Sequence, residues 1–147
     1  MERLTINKFP VAALLNIGGE EQAFLIFTNL EELTSIPKVN FREDYYDGAI
    51  LFDSSGSIYK ISKTRISADF NPSFFARIFS NKVKCDLYTD QPVLEVTLDQ
   101  LKMKIKQILQ LKTVYATKGL RLNRIDSLVS YEEVVDYISG RNTSKYH

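Results

Sequence analysis

Two apolar runs, residues 11–17 and 22–28, are separated only by Gly18, Gly19, Glu20 and Glu21, and a connection that short obliges the second run to fold back on the first. Neither run alternates with polar residues, so both faces of each ask for cover and they read as inner strands. The arrangement recurs downstream. Asp47 and Gly48 lead into Ala49, Ile50, Leu51 and Phe52. Asp53, Ser54, Ser55 and Gly56 supply turn chemistry, and residues 57–66 continue as one strand carrying Ile58, Tyr59 and Ile61. A third pair begins at residues 83–89, where strict alternation sends Val83, Cys85 and Leu87 to the core and Lys84, Asp86 and Tyr88 to water. Pro92 marks the turn, and residues 93–97 form the return strand with Leu94 and Val96 inward.

Helices are announced by their caps. Asn29, with Glu32 three residues on, opens a short helix with Leu30 and Leu33 inward, ended by Pro37. Asn71 and Pro72 open an aromatic helix with Phe74, Phe75, Ile78 and Phe79. Thr97 and Gln100 form a capping box for the longest helix, whose stripe is Leu98, Leu101, Ile105, Ile108 and Leu109 and whose end is expected near Lys118 and Gly119. Ser130 and Glu133 cap a last helix with Tyr131, Val134, Val135 and Ile138 inward, ending at Gly140.

Strands that arrive as consecutive hairpins, without helical crossovers, predict an α+β fold: a mostly antiparallel sheet of about six strands with about four helices packed on it. At 147 residues, 44% hydrophobic and 25% charged, the chain is expected to form a single α+β domain over residues 1–140, with 141–147 a frayed tail. The apolar stretch 9–17 contains Pro10 and Asn16 and lacks a small-x-small cleavage site, and residues 23–27 fall far short of the ~20 needed to span a bilayer. The expectation is a cytoplasmic protein with no membrane association.

The inventory of reactive side chains is thin. The single histidine is His147 and the single cysteine is Cys85, on the core side of its strand, which removes His-based acid–base catalysis, disulfides and Cys-rich zinc sites. Gly18 and Gly19 lack the lysine and hydroxyl of a phosphate loop, and residues 53–57 lack the spacing of a calcium loop. No catalytic residue, metal or cofactor is therefore expected. Asp44, Asp47, Asp53, Asp86 and Asp90 leave open an enzyme built from carboxylates and tyrosines, although turn chemistry alone accounts for them.

Charge is segregated along the chain. Residues 1–59 carry four basic and nine acidic side chains, whereas residues 101–147 carry nine basic and four acidic ones, beneath a net charge of +1. On the acidic side, Glu43, Asp44, Tyr45, Tyr46 and Asp47 set two tyrosines among three carboxylates, a composition suited to a basic protein partner. On the basic side, Lys102, Lys106, Lys118, Arg121 and Arg124 are the candidates for an anion or RNA, although no RNP, KH or helix-turn-helix pattern accompanies them.

Residues 47–61, from Asp47 and Gly48 through Asp53, Ser54, Ser55 and Gly56 to Tyr59, Lys60 and Ile61, together with Asn71 and Pro72 ahead of an aromatic helix, resemble small bacterial proteins. Some of these are similar to immunity proteins of polymorphic toxin systems. The resemblance covers the middle third of the chain. It implies a cytoplasmic, non-enzymatic protein that neutralises a cognate toxin by occluding it with an acidic surface, and it assigns no role to an individual residue.

Overall fold

A computed structural model describes residues 1–18, 21–37, 44–67, 82–110, 114–115 and 120–138. The fold is α+β, and its strands divide between two sheets where the hairpin order suggested one. The larger sheet is built around β2 (Val11–Gly18), which pairs antiparallel with β3 (Glu21–Phe27) on one side and with β5 (Ile50–Phe52) on the other. β6 (Ser57–Lys60) pairs with β5, and β9 (Leu94–Glu95) pairs with β6. β10 (Val114–Tyr115) closes the far edge, parallel to β3.

The smaller sheet is centred on β8 (Lys82–Thr89). β7 (Lys63–Ile66) lies along one edge of β8, and Ser67 N–H prolongs that ladder to the Lys84 carbonyl. The opposite edge is shared end to end by β4 (Ser35–Pro37), at Lys82 to Lys84, and β1 (Glu2–Arg3), at Tyr88 and Thr89.

Four helices are described: α1 (Leu30–Thr34), α2 (Leu98–Leu109), α3 (Leu122–Ile125) and α4 (Tyr131–Ile138). The caps read from the sequence are in place. Asn29 accepts from Glu32 N–H, Thr97 and Gln100 close a reciprocal box, and Ser130 Oγ accepts from Glu133 N–H at 3.1 Å.

β2 explains the layering. Ala12 and Leu14 face a core made with Phe52, Leu101, Ile105, Ile125 and α4, while Val11, Ala13 and Leu15 face a second core made with Leu33, Ile36, Leu51, Cys85 and Leu87. The large sheet is thus the middle layer, covered by α2, α3 and α4 on one face and by the small sheet with α1 on the other. Fully burying a Leu, Ile or Phe stabilises by about 1.5–3 kcal/mol before entropy, so each core is a substantial contributor.

Several local expectations fail for long-range reasons. Residues 57–66 are not one strand: Ile61 N–H still bonds to Ala49 on the β5 side, whereas Ser62 N–H already bonds to Tyr88 of β8, so the chain changes sheets in one residue step. Residues 93–97 do not return along β8. Only Leu94 and Glu95 pair, with β6, and Leu94 is 52% exposed rather than inward. α1 ends at Thr34, because Ser35, Ile36 and Pro37 are taken by β8, and Leu30 is 55% exposed while Leu33 is buried. α2 stops at Leu109 with Gln110 as its C-cap, short of Lys118 and Gly119, and the chain next pairs with β3 through Val114 and Tyr115. The aromatic helix expected behind Asn71 and Pro72, Gly119, Gly140 and the tail lie outside the described residues.

Candidate functional site

The acidic segment is less free than its composition suggests. Tyr46 is buried, its phenol donates to the Leu33 carbonyl at 2.7 Å, and its ring meets Tyr45 edge-on at 4.8 Å between centroids. Burial, then the charges on Tyr45 and Cys85, push the Tyr46 phenol well above its ordinary value. Tyr45 is half-buried against the same core. Asp47 is exposed, and its Oδ1 accepts from Thr64 N–H at 3.1 Å, which ties the segment to β7. Asp44 is exposed, and Glu43 lies outside the described residues. Tyr46, offered as a contact residue, is therefore a core anchor, because its ring fills the gap between β3, α1 and the small sheet.

The basic candidates meet around α3, a helix the sequence did not announce. Lys102 is buried and its Nζ donates to the Asp126 carbonyl at 3.1 Å, while Lys106 Nζ pairs with Asp126 Oδ1 at 2.7 Å. Both lysines are occupied in tying α2 to the residue that caps the end of α3. Arg121 main-chain N–H donates to the Tyr137 phenol oxygen at 2.9 Å, which fixes the start of α3 against α4. Lys118 lies outside the described residues.

Arg121 and Arg124 remain, the first as the extended N-cap of α3 and the second within its single turn. With Asn123 and Ser127 they line an open cleft of about 410 Å³. Arg121 is exposed and Arg124 half-buried. Arg124 Nε is shielded from solvent and has no hydrogen-bond partner among the described residues. Leaving a shielded donor unpaired costs on the order of 1–3 kcal/mol, which an acceptor that reached it would recover. Ser127 Oγ donates to the Arg124 carbonyl at 2.7 Å, so among the described lining residues the side-chain donors left to the cleft are the two guanidinium groups and the Asn123 amide. Among the described residues that line it there is no carboxylate.

Other reactive groups are structural. Cys85 Sγ donates to the Thr34 carbonyl at 3.3 Å, and burial, then Asp86, push its thiol up to about 12, which disfavours the nucleophilic thiolate at neutral pH. Asp53, wholly buried, accepts from Ser55 N–H, Ser55 Oγ, Ser57 N–H and the Tyr59 phenol at 2.7–3.0 Å. Among the described residues no three or more His, Cys, Asp or Glu side chains stand close enough to hold a metal ion, and no helix is long and apolar enough to cross a membrane. No family model, curated protein or solved structure matches this chain.

Proposed function

We propose that this protein is a binding module for an anionic group of the phosphate or carboxylate type, held by Arg121 and Arg124 in the cleft over α3. The observation that carries the reading is two guanidinium groups lining one cleft with no carboxylate among the described lining residues, one of them keeping a shielded Nε that has no partner among the described residues. A planar guanidinium presents its donors in a fork that matches two oxygens of an oxyanion. Lys102 and Lys106, spent on Asp126, serve as the scaffold that holds α3 in place.

Titrating ¹⁵N-labelled protein with inorganic phosphate should give saturable shifts clustered at residues 120–128, and Arg121→Gln, which changes an exposed side chain, should remove them. Absence of saturable shifts, or shifts centred on residues 44–47, overturns the reading.

A second reading keeps the acidic segment as a contact for a basic protein, in the manner of an immunity protein occluding its toxin. Its support is that Asp44 and Asp47 are both exposed beside a half-buried Tyr45. Asp44→Lys leaves the Asp47 and Tyr46 contacts untouched, so a folded Asp44→Lys protein that still captures the same partner as wild type removes this reading.

A further inference from the structure

A second cleft, of about 400 Å³, adjoins the first, with Asn123 lining both. Its α2 wall consists of Met103, Lys106, Gln107 and Gln110, spaced i, i+3, i+4, i+7 along one stripe, and its α3 wall carries Leu122 and Asp126 at i, i+4. Two of its side chains are large, apolar and left to solvent: Met103 is 60% exposed and Leu122 is 36% exposed. The carboxylate among its described lining residues, Asp126, is already paired with Lys106 and so does not set a bare negative charge beside the guanidinium cleft.

The pairing of these clefts narrows the ligand. An oxyanion alone uses the arginine side and leaves Met103 and Leu122 wet. An alkyl chain would match the apolar pair but make no use of the exposed amides of Gln107, Gln110 and Asn123, whose joined donor and acceptor suit the edge of a heteroaromatic ring. A thioether and a branched aliphatic chain make favourable contact with an aromatic face. Resting on the anion-binding reading above, we infer that the two clefts together take a 5′-phosphorylated nucleotide, free or at the end of a strand. Its phosphate lies on Arg121 and Arg124, and its base lies between Met103 and Leu122 within reach of the amides.

Isothermal titration of the full chain separates the possibilities, with inorganic phosphate, the four ribonucleoside 5′-monophosphates, a 5′-phosphorylated oligoadenylate and a phosphoserine peptide as probes. At least one mononucleotide should bind about tenfold or more tighter than phosphate, the gain expected from one well-packed base. A Met103→Ala, Gln107→Ala double variant, both positions being exposed, should lose that gain and keep its phosphate affinity, whereas Arg121→Gln should weaken both ligands. An oligonucleotide that binds tighter than its mononucleotide identifies the strand end as the source, and equal binding identifies the free nucleotide. Phosphate binding with no mononucleotide tighter, or a phosphopeptide that matches the best mononucleotide, overturns the nucleotide inference and leaves the anion reading standing. No binding by any probe overturns both.

Discussion

Gly56 lies against the ring of Tyr131 so closely that a Cβ on Gly56 would sit 2.6 Å from Tyr131 Cε1 and 3.0 Å from the Val96 carbonyl oxygen. The same glycine has φ +85°, and its carbonyl accepts from Val96 N–H at 3.0 Å. The turn that joins β5 to β6 is thereby pressed onto the start of α4 and the approach to α2.

Gly56→Ala therefore meets two penalties, backbone strain at positive φ and a clash with a ring whose hydroxyl is anchored on the Val96 carbonyl at 2.9 Å. Gly48, at φ +81° with nothing within 4 Å of its would-be Cβ, meets only the first. Chemical denaturation should show Gly48→Ala costing about 1 kcal/mol and Gly56→Ala at least ~2 kcal/mol. Equal losses at the two positions would mean that the Tyr131 ring yields freely.

Tyr46→Phe keeps the ring in the core and leaves the Leu33 carbonyl without its 2.7 Å donor. The expected loss is about 1–2 kcal/mol, against ~3–5 kcal/mol for Tyr46→Ala, which also opens a cavity. Thermal unfolding of both variants checks this, and a Tyr46→Phe protein as stable as wild type would show that the hydroxyl's bond to the Leu33 carbonyl adds no net stability.

Asp53→Ala strands the Ser57 N–H and the Tyr59 phenol, both buried, while the donors of exposed Ser55 can turn to water. A loss of about 3 kcal/mol or more in urea unfolding is expected, larger than for any single exposed carboxylate such as Asp44. A loss under ~1 kcal/mol would show that water replaces the carboxylate without strain.

Alkaline pH should weaken the fold through three neutral acids, the Cys85 thiol and the Tyr46 and Tyr59 phenols, of which Tyr46 is raised the most by its burial. Burial, then the Asp86 charge, raise the Cys85 thiol from 9.0 to about 12, and burial, then the Asp53 hydrogen bond, raise the Tyr59 phenol from 10.0 to about 12. Above its ordinary pKa each group loses its proton in the unfolded chain but keeps it in the folded one, so stability falls as pH rises. The decline should start near pH 9 and steepen above 10, and it should not level off where Cys85 and Tyr59 titrate because the Tyr46 phenol is raised further still. In Cys85→Ala the onset should move up by about one pH unit, from the thiol's ordinary value toward the phenol's. Stability measured by urea unfolding at intervals from pH 7 to 11 checks the sign, and a rise with pH would refute it.

What the sequence disclosed and what it hid divide by the range of the forces involved. Asn29 with Glu32, Thr97 with Gln100 and Ser130 with Glu133 are caps settled within three residues, and all three are where their spacing puts them. Alternation along β8 likewise exposes its core face at Cys85 and Leu87. The partner of a strand is not local: nothing in Lys63, Thr64, Arg65 and Ile66 says that they leave β5 for β8, nor in Leu94 and Glu95 that they add to β6. At the site, Arg121 and Arg124 could be nominated by charge, but α3 is four residues long, too short for a helical period to register. Lys102 was indistinguishable from a solvated lysine because its partner is a main-chain carbonyl 24 residues away, and the apolar half of the paired clefts went unseen because Met103 and Leu122 belong to different helices.

The two faces of β2 set the terms on which this protein can change. Ala12 and Leu14 press into one core while Val11, Ala13 and Leu15 press into the other, so a one-residue slip along this strand would exchange both sets together. Arg121, Asn123, Met103 and Gln107 stand on the outer side of the helical layer, exposed and absent from either core. Selection could rewrite what the clefts recognise, residue by residue, without disturbing the wall behind them, whereas the smallest enlargement would be resisted at Ala12 by the helix-side core and at Ala13 by the core under the small sheet.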